Sequence, residues 1–527
     1  SGSTTVSGAY IGQKAASGDA WAFQSTPAQF KFSGATTVTI PANGSVTSDP
    51  LTFAYSAANA YIVSIGYSSY SVNYGAGINY GASYGKAGDY ANAGTLDPSG
   101  YSSLGFAWHG LSAVTLVGAG PSSQTNTWEA NVPAQVYRVN LDGTPGTLVS
   151  ALSAVTAPGN FYWNGGQLFV YGTASPDTLY SDIEASQSSY GIVDSPAQSY
   201  ITLDGLHVTN ANLRGISSSG NNWVIQNCLI DYSGGGPSGY SHGIFLSGSN
   251  SVVKNCAFNQ INKWGVSVTG NNNLIENNTM TGCWDGKTYA QLGGGSGITT
   301  QGAGNTAYAN FISGSYHCID DVGGSQDSTW DYNLCVTWGT NGLDHETGVS
   351  GHPVRIYNNT VIHTDGAGWG SGHGIVCQTN GNYADIQNNI VVVNGTQTNV
   401  NYEAIAISAN SWTGITLNNN DYYLAPGTTG MIGQAGSTQY PTLSGWQAAV
   451  NGLVTGNDAQ SISVDPRLSN STYLQPTDFA LQSSSPAVNA GVHLGLTNDF
   501  FGNPIEGAPD LGAIEYQFMP NPGSLWW

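Results

Sequence analysis

Short segments in which apolar residues flank a central Asn recur through the middle third of the chain. The clearest ones are residues 224–230, 252–258, 274–280, 355–361 and 385–391. With weaker members included, we place the central position at Gly205, Asn227, Asn255, Asn277, Asn310, Asn333, Asn358, Asn388 and Asn419. These positions are 22 to 33 residues apart, and a repeat of that length predicts a solenoid.

A second element, a small residue followed by an aliphatic one, precedes most of these asparagines. Its members are Gly215-Ile216, Gly243-Ile244, Gly265-Val266, Gly297-Ile298, Cys318-Ile319, Gly342-Leu343, Gly374-Ile375 and Ala404-Ile405. Two short strands per repeat and no helical periodicity predict a parallel β-helix, whose coils stack ~4.8 Å apart. Asn tolerates a left-handed backbone and can bond to the Asn of the next coil, so we interpret these asparagines as structural.

On these repeats the chain resembles the secreted right-handed β-helix proteins of the pectate-lyase-like superfamily, over about residues 161–423. The segment 161–185 is similar to the first strands of β-helix glycosidases. The resemblance implies the fold more strongly than the activity, because lyases, hydrolases, epimerases and phage adhesins share this scaffold.

We predict three regions. Residues 1–160 show alternating strands and turns and are expected to form a β-sandwich accessory or capping domain, similar to a module that precedes some GDSL-type esterases. Residues 161–425 form the β-helix core, and 426–527 the final coils and a C-terminal cap. The tyrosine-rich run 61–90 could stack on sugar rings or pack internally, and Trp526 and Trp527 are expected to dock, which allows self-association.

Composition narrows the possible partners. Charged residues make up 8% of the 527, and 10 Lys and Arg face 31 Asp and Glu, for a net charge of −21. Such a protein repels nucleic acid and anionic membranes. No apolar stretch is long enough to insert in a membrane. We therefore expect a secreted or cell-surface protein.

Six cysteines are present, without a C-x-x-C pair. Cys228 and Cys256 occupy one position of consecutive coils, where either a disulfide or two free thiols would fit. The other four cannot be paired from the sequence.

Alternation along the strand that carries the small-aliphatic pair predicts a candidate active site. If Ile319 and Leu343 are equivalent inward positions of neighbouring coils, Asp320 and Asp344 follow them on one solvent-facing side. Repulsion between the stacked acids should raise the pKa of one of them while the other stays ionised. Glycoside cleavage needs one protonated and one ionised acid.

Other ionisable residues cluster on the same coils. We predict Asp320 and Asp344 as the reacting pair and Asp321 and Glu346 as supporting or alternate acids. The predicted substrate-binding residues are His317, His345, His373, His242, Trp264 and Lys263. We predict no required metal, although Asp-rich coils could hold Ca²⁺. Asp321 and His345 point inward, so a buried hydrogen-bonded pair is the alternative for them.

Two motifs resemble those of polygalacturonase-type hydrolases. The segment 318–322 (CIDDV) resembles their paired-aspartate motif, and 372–375 (GHGI) resembles their Gly-His-Gly motif. Their Arg-x-Lys motif should come last, but Arg355 precedes His373 and no Lys follows it. The departure favours a glycosidase without galacturonate specificity.

Three hypotheses for the function follow. The first is an extracellular glycoside hydrolase that degrades a polysaccharide through paired carboxylates. The second is a Ca²⁺-dependent polysaccharide lyase with Lys263 as the base. The third is a non-catalytic surface or filament protein that self-assembles through its C-terminal tail.

Overall fold

The computed structural model of the chain forms two compact units. The described residues are 4–13, 23–40, 46–49, 51, 61–67, 83–85, 102–104, 120–121, 124–235, 241–283, 295–364, 371–396, 401–456 and 458–517. The first unit spans residues 1–135, 141–143 and 149–184, and the second 136–140, 144–148 and 185–527.

The described strands of the first unit pair antiparallel. One sheet consists of Thr4–Gln13, Ala28–Gln29, Val38–Ile40 and Tyr61–Tyr67. Another contains Gly120–Pro121, Thr127–Asn131, Asn160–Trp163 and Gln167–Tyr171, and a separate pair is Ser83–Gly85 with Ser102–Leu104. The predicted sandwich stays a prediction, and most of the tyrosine-rich run 61–90 lies outside the described residues.

Short elements lie near the boundary between the units. The strands are Val139–Leu141, Thr144–Pro145, Thr147–Leu148 and Ile183–Ala185, and the helical turns are Leu152–Ala154 and Pro176–Leu179.

The second unit is the predicted right-handed parallel β-helix. Each coil contributes up to three strands, which stack in register into three ladders that we call A, B and C in chain order. Ladder A contains Thr202–Asp204, Val224–Gln226, Val252–Lys254, Leu274–Glu276, Thr306–Tyr308, Thr329–Asp331, Val354–Tyr357, Ala384–Gln387 and Thr416–Asn418.

Ladder B contains His207–Thr209, Leu229–Asp231, Ala257–Asn259, Thr279–Thr281, Thr360–His363, Ile390–Val393 and Asp421–Leu424. Ladder C contains Tyr190–Val193, Arg214–Ser218, His242–Leu246, Trp264–Val268, Ser296–Thr300, Ser371–Asn380, Asn401–Ile407 and Met431–Ala435. Two long strands, Phe311–Asp320 and Leu334–Thr347, run through B and C without interruption.

Further short elements complete the unit. Gly302–Ala303 pairs with Ser325–Gln326, and Thr438–Tyr440 pairs antiparallel with Met431–Ala435. The helix Leu443–Val450 begins where the Thr442 side chain accepts a hydrogen bond from the Gly445 amide, and a 3-10 turn spans Pro476–Phe479.

The interior of the β-helix is a column of the predicted aliphatic residues. Ile216, Ile244, Val266, Ile298, Ile319, Leu343, Ile375 and Ile405 are all fully buried and paired from coil to coil. Burying each such side chain contributes about 1.5–3 kcal/mol, so this column fixes the register of ladder C.

The small residue before each aliphatic one is required by close approach between coils. A Cβ added at Gly342 would lie 2.4 Å from the Gly374 carbonyl oxygen and 2.5 Å from Val361. Cys318 and Ala404 are the two members of this column that carry a Cβ, and the Cys318 sulfur bonds to Cys335 inside the unit.

The predicted single column of asparagines is two adjacent columns, and the predicted phase is wrong for two members. Asn227, Asn255 and Asn277 have positive φ, but the residues equivalent to them in the next two coils are Ala309 and Tyr332. Asn310 and Asn333 belong instead to the next position along the chain. The left-handed corner and the amide stack are therefore separate features.

The second column is a buried ladder of amides. Its members are Asn278, Asn310, Asn333, Asn359, Asn389 and Asn420. Each of the first five donates from both its backbone N–H and its side-chain Nδ2 to the Oδ1 of the next, at 2.9–3.1 Å. Cys228 and Cys256 occupy the first two places of this column as free thiols.

The C-terminal region covers the outside of ladder B. Phe479, Leu481 and Leu511 pack against outward-facing ladder B residues such as Phe311 and Ile390, forming a second hydrophobic core. The end of the main core is covered by the helix Leu443–Val450, whose Trp446 is fully buried there. The terminal tryptophans 526 and 527 lie outside the described residues, and self-association stays a prediction.

Cys318 and Cys335 form a disulfide that the sequence could not assign, with Cα atoms 6.0 Å apart. Cys228, Cys256, Cys283 and Cys377 are free and buried. Among the described residues, no helix has the length and hydrophobicity needed to cross a membrane.

Candidate functional site

The two aspartates that the sequence singled out are neighbours on ladder C. Ile319 pairs with Leu343 and Asp320 with Asp344, so the predicted register is confirmed. The inward aliphatic side chains lie in the core, which places the two carboxyls on its outer side. Both positions lie on the two long strands, Asp320 on Phe311–Asp320 and Asp344 on Leu334–Thr347.

The predicted exposure of these acids is wrong: Asp320 is 2% exposed and Asp344 is fully buried. The reason is cover from neighbouring polar side chains. Asp344 accepts hydrogen bonds from Asn341 Nδ2 at 2.6 Å and from Gln378 Nε2 at 2.9 and 2.8 Å. Asp320 accepts one from the Ser296 hydroxyl.

The hydrogen bonding of the two acids differs. Both oxygens of Asp344 accept amide hydrogen bonds, which favour the charged carboxylate. Asp320 Oδ1 has no hydrogen-bond partner among the described residues. Asp320 therefore retains an oxygen that could carry a proton toward a ligand.

Burial is the main cause of the electrostatic shifts. It raises the pKa of Asp320 to about 7, opposed by His317, Ser296 and Thr299 and reinforced by Glu346. Burial also raises the pKa of Asp344 to about 6, against the hydrogen bonds from Asn341 and Gln378. The sequence predicted that one of the two acids would shift through repulsion, whereas both shift, chiefly by desolvation.

His317 lies between the two aspartates. Its Nδ1 is 3.4 Å from Asp344 Oδ2, its ring is 12% exposed, and it interacts electrostatically with Asp320. Burial lowers its pKa to about 4, so the ring is neutral at ordinary pH. A neutral imidazole can position a sugar hydroxyl without competing for the charge of Asp344.

Glu346 is the most accessible acid of the group. It is half-buried, and burial followed by repulsion from Asp344 and Asp321 raises its pKa to about 7. It is thus a second group able to hold a proton near neutrality, in line with its predicted supporting role.

Asp321 and His345 form the buried pair that the sequence left as an alternative. Both are fully buried, with His345 Nδ1 2.7 Å from Asp321 Oδ2 and His345 Nε2 2.8 Å from the Asn382 carbonyl oxygen. The Glu346 backbone N–H donates to Asp321 Oδ1 at 2.6 Å. Since both ring nitrogens are occupied internally, this pair supports the strand that carries Asp344.

His373 is paired with a buried acid, Glu403, that the sequence did not predict as a site residue. Its Nδ1 lies 2.9 Å from Glu403 Oε2, and Glu403 is fully buried and accepts a hydrogen bond from Gln439. Glu403 occupies the same position of its coil as His317, Asn341 and His373 do in theirs. Aligning the coils by their small-aliphatic pairs could therefore have identified it. Ser296 and Gln378 were missed because uncharged residues carried no sequence signal.

Aromatic and basic residues lie on the coils that precede the acids. The His242 and Trp264 rings stack with centroids 4.8 Å apart, and Lys263 Nζ is 4.1 Å from the Trp264 ring centre. Lys263 interacts electrostatically with Asp320, and burial lowers its pKa. His242 is only 3% exposed, whereas Trp264 is half-buried, so Trp264 is the more accessible of the two rings.

No three His, Cys, Asp or Glu side chains within the described part of the chain are placed to hold a metal ion together. The clustered acids accept hydrogen bonds from Asn, Gln, Ser and backbone donors instead. The expectation about Ca²⁺ stays a prediction.

Comparison with known proteins gives only distant likenesses. No protein-family model and no curated protein matches the chain. Among solved structures, XylC in complex with xylose is 10% identical with a TM-score of 0.43, covering 75% of this chain and 86% of that one. Pectate lyase Pel9A is 14% identical with a TM-score of 0.34, covering 63% and 86%. The Dettilon tailspike protein is 12% identical with a TM-score of 0.26, covering 47% and 61%.

Proposed function

We propose that this protein is an extracellular glycoside hydrolase that acts on a polysaccharide, with Asp320 as proton donor and Asp344 as the ionised partner. The observation that carries the proposal is the contrast between the paired acids. Asp344 is held by three amide hydrogen bonds that favour its charge, while Asp320 has a partnerless oxygen and a pKa near 7.

The chemistry follows from these protonation states. As the glycosidic C–O bond breaks, protonated Asp320 transfers its proton to the departing oxygen. Asp344 either takes a proton from the attacking water or bonds to the anomeric carbon itself and is released by water in a second step. Both routes consume one water. In the two-step route Asp320 recovers its proton from the water that releases Asp344, whereas in the one-step route the proton ends on Asp344 and exchange with solvent restores the starting protonation states.

Substrate entry requires movement of the covering side chains. Gln378 and His317 contact Asp344, and both side chains are only partly buried. A sugar hydroxyl can replace the Gln378 amide as hydrogen-bond donor to Asp344. Half-buried Trp264 supplies a face on which a neighbouring sugar ring can stack.

The pH dependence follows directly. Activity needs Asp344 ionised and Asp320 protonated, so kcat/KM should decrease below about pH 6 and above about pH 7. A flat profile between pH 5 and 8 would contradict the assignment.

The direct test is a reducing-end assay over a panel of neutral and uronate polysaccharides. We expect activity on at least one substrate, and its loss in Asp320→Asn. The matched control is Asp327→Asn, because Asp327 is an exposed acid paired with His352 away from this cluster. Equal turnover in Asp320→Asn and the native chain would overturn the proposal.

A lyase is the second candidate because Lys263 is a partly buried amine close to Asp320. In that reaction Lys263 would remove the C5 proton of a uronate, the C4–O bond would break, and a C4–C5 double bond would form. Ultraviolet absorbance of an unsaturated product, abolished in Lys263→Ala, distinguishes this reaction from hydrolysis.

A further inference from the structure

A cavity lies outside ladder B, between its last coils and the C-terminal segment. Its volume is about 360 Å³, at the small end of the range in which proteins bind small molecules. The residues that matter are Tyr423, Asp465, Arg467, Asn470, Tyr473 and Gln482. The acids of the candidate active site are on ladder C, so this is a separate place.

Two half-buried tyrosines give the cavity its apolar surface. Tyr423 projects from the ladder B strand Asp421–Leu424. Tyr473 comes from the C-terminal segment and packs on buried Phe479, with ring centroids 5.6 Å apart. The two rings come from different layers, the ladder B strand and the C-terminal segment, and each offers an apolar face against which a flat group can lie.

The polar groups of the cavity are held by bonds within the C-terminal segment. The Arg467 backbone N–H donates to Asp465 Oδ1 at 2.8 Å, and Arg467 Nη1 donates to the Ser484 carbonyl oxygen at 3.0 Å. Gln482 Nε2 donates to the Leu468 carbonyl oxygen at 3.0 Å. Carboxylate, guanidinium and amide groups are therefore presented together at the rim.

A buried acid lies on the same strand as Tyr423. Asp421 is fully buried; its Oδ1 accepts from the Val464 amide at 3.1 Å, and its Oδ2 has no partner among the described residues. Since residues two apart in a strand point to the same side, Asp421 is beside the Tyr423 ring. Burial, reinforced by Asp465, raises the pKa of Asp421 to about 8.

Charge excludes several kinds of ligand. With Asp421 mainly neutral at pH 7, and one acid, Asp465, and one base, Arg467, in its lining, the cavity has almost no net charge. Asp465 would repel phosphate or uronate, and Arg467 would repel a cation. A sugar ring fits, because its C–H face packs on tyrosine and its vicinal hydroxyls bond to planar side chains such as Asp, Arg, Asn and Gln.

We propose that this cavity binds one neutral sugar unit between Tyr423 and Tyr473, with Asp465, Arg467, Asn470 and Gln482 bonding its hydroxyls. The site is additional to the proposed active site and does not depend on hydrolysis. If the protein acts on a polysaccharide, this cavity would keep the polysaccharide bound to the enzyme.

The test is saturation-transfer NMR on the full chain at pH 6 with D-glucose, D-galactose, D-xylose and D-mannose. We expect signal from at least one sugar, and at least a tenfold weaker apparent affinity in Tyr423→Ala and in Asp465→Asn. Leu474→Ala is the matched control, because Leu474 is 73% exposed next to Tyr473 and does not line the cavity.

Further variants keep this test decisive. Asp465 is exposed, so Asp465→Asn should keep the native melting temperature even if Tyr423→Ala does not. Asp320→Asn should keep the signal, which separates this cavity from the active site. Absence of signal from all four sugars, its loss only in Asp320→Asn, or its loss on adding a chelator would overturn the proposal.

Discussion

Two columns of stacked polar side chains run along this β-helix, and they behave in opposite ways. In the buried asparagine column each amide both donates and accepts, so every member satisfies its neighbour. In ladder C the stacked carboxyls of Asp320 and Asp344 cannot bond to each other while both are charged. Stacking thus stabilises the fold in the asparagine column, while in the acid column burial raises the pKa of both carboxyls.

The difference teaches where to look for chemistry in a solenoid. A stack of amides satisfies itself and needs no ligand. A stack of acids requires other donors, here Asn341, Gln378 and Ser296, and leaves Asp320 with an unmet oxygen. That unmet hydrogen-bonding capacity distinguishes the candidate site from the scaffold.

Removing the charge of the acid column should have the largest effect. We expect Asp344→Asn to lower kcat by about 10²–10⁴-fold, because an amide can neither take a proton nor attack carbon. The protein should remain folded, as shown by an unchanged circular dichroism spectrum. A variant that loses its fold, or keeps its kcat, would show that Asp344 belongs with the structural column.

Breaking the amide column should have the reverse effect. Asn333→Ala removes the acceptor for both donors of Asn310 and the donors to Asn359 and Ala307. With buried donors left unpaired, we expect the free energy of unfolding to drop by about 2–4 kcal/mol in urea titrations. Turnover per folded molecule should not change.

The matched control for this variant is Asn221→Ala, because Asn221 is exposed and accepts a single side-chain hydrogen bond from the Ser249 amide. Asn221→Ala should lower the free energy of unfolding by less than about 1 kcal/mol. Equal destabilisation by the two substitutions would mean that the buried column is not special.

The stability of the acid column should depend on pH. The pKa of Asp320 is raised from 3.8 to about 7 in the folded protein, so the folded state holds this proton more tightly than the unfolded state. The contribution of Asp320 to stability is therefore greatest below about pH 4 and is lost as pH rises toward 7. Asn at this position has no such dependence.

We therefore expect the native chain to lose stability relative to Asp320→Asn between pH 4 and 7, by a few kcal/mol at most. Denaturant midpoints measured for both proteins across this range provide the check. Parallel pH curves for the two would show that the Asp320 carboxyl has an ordinary pKa.

The smallest effect concerns positioning. Glu403→Gln should weaken the contact that holds the His373 ring in position. We expect kcat/KM to fall by roughly tenfold, because misplacing a positioning group lowers activity less than removing a reacting group does. The reduction should appear mainly in KM and be partly restored by Glu403→Asp. An unchanged KM would limit Glu403 to a structural role.

The register of the acid pair could be predicted because the core specifies it. One aliphatic side chain per coil must point inward, so Ile319 and Leu343 align and their neighbours follow. The burial of Asp320 and Asp344 could not be predicted, since it depends on the cover that Gln378 and His317 supply. Cover by residues of other strands leaves no periodic pattern in the sequence.

The asparagine columns show a different limit. Four coils have two consecutive asparagines, one for the left-handed corner and one for the amide stack, as in Asn277 and Asn278. In two coils the corner is Ala309 or Tyr332, so the remaining Asn310 or Asn333 was assigned to the wrong column. The corner position accepts Ala or Tyr, and the stack position is Asn from Asn278 onward but Cys at Cys228 and Cys256.

The amide column also has a direction. Every member donates toward the following coil, and the last, Asn420, donates its backbone N–H to the Ser461 hydroxyl, which in turn bonds to Asp458. A designer could add or remove a whole coil in the middle of this series, because each interior unit accepts from one side and donates to the other. The final coil cannot be exchanged in this way, because its Asn420 bonds to Ser461, which lies farther along the chain and outside the series.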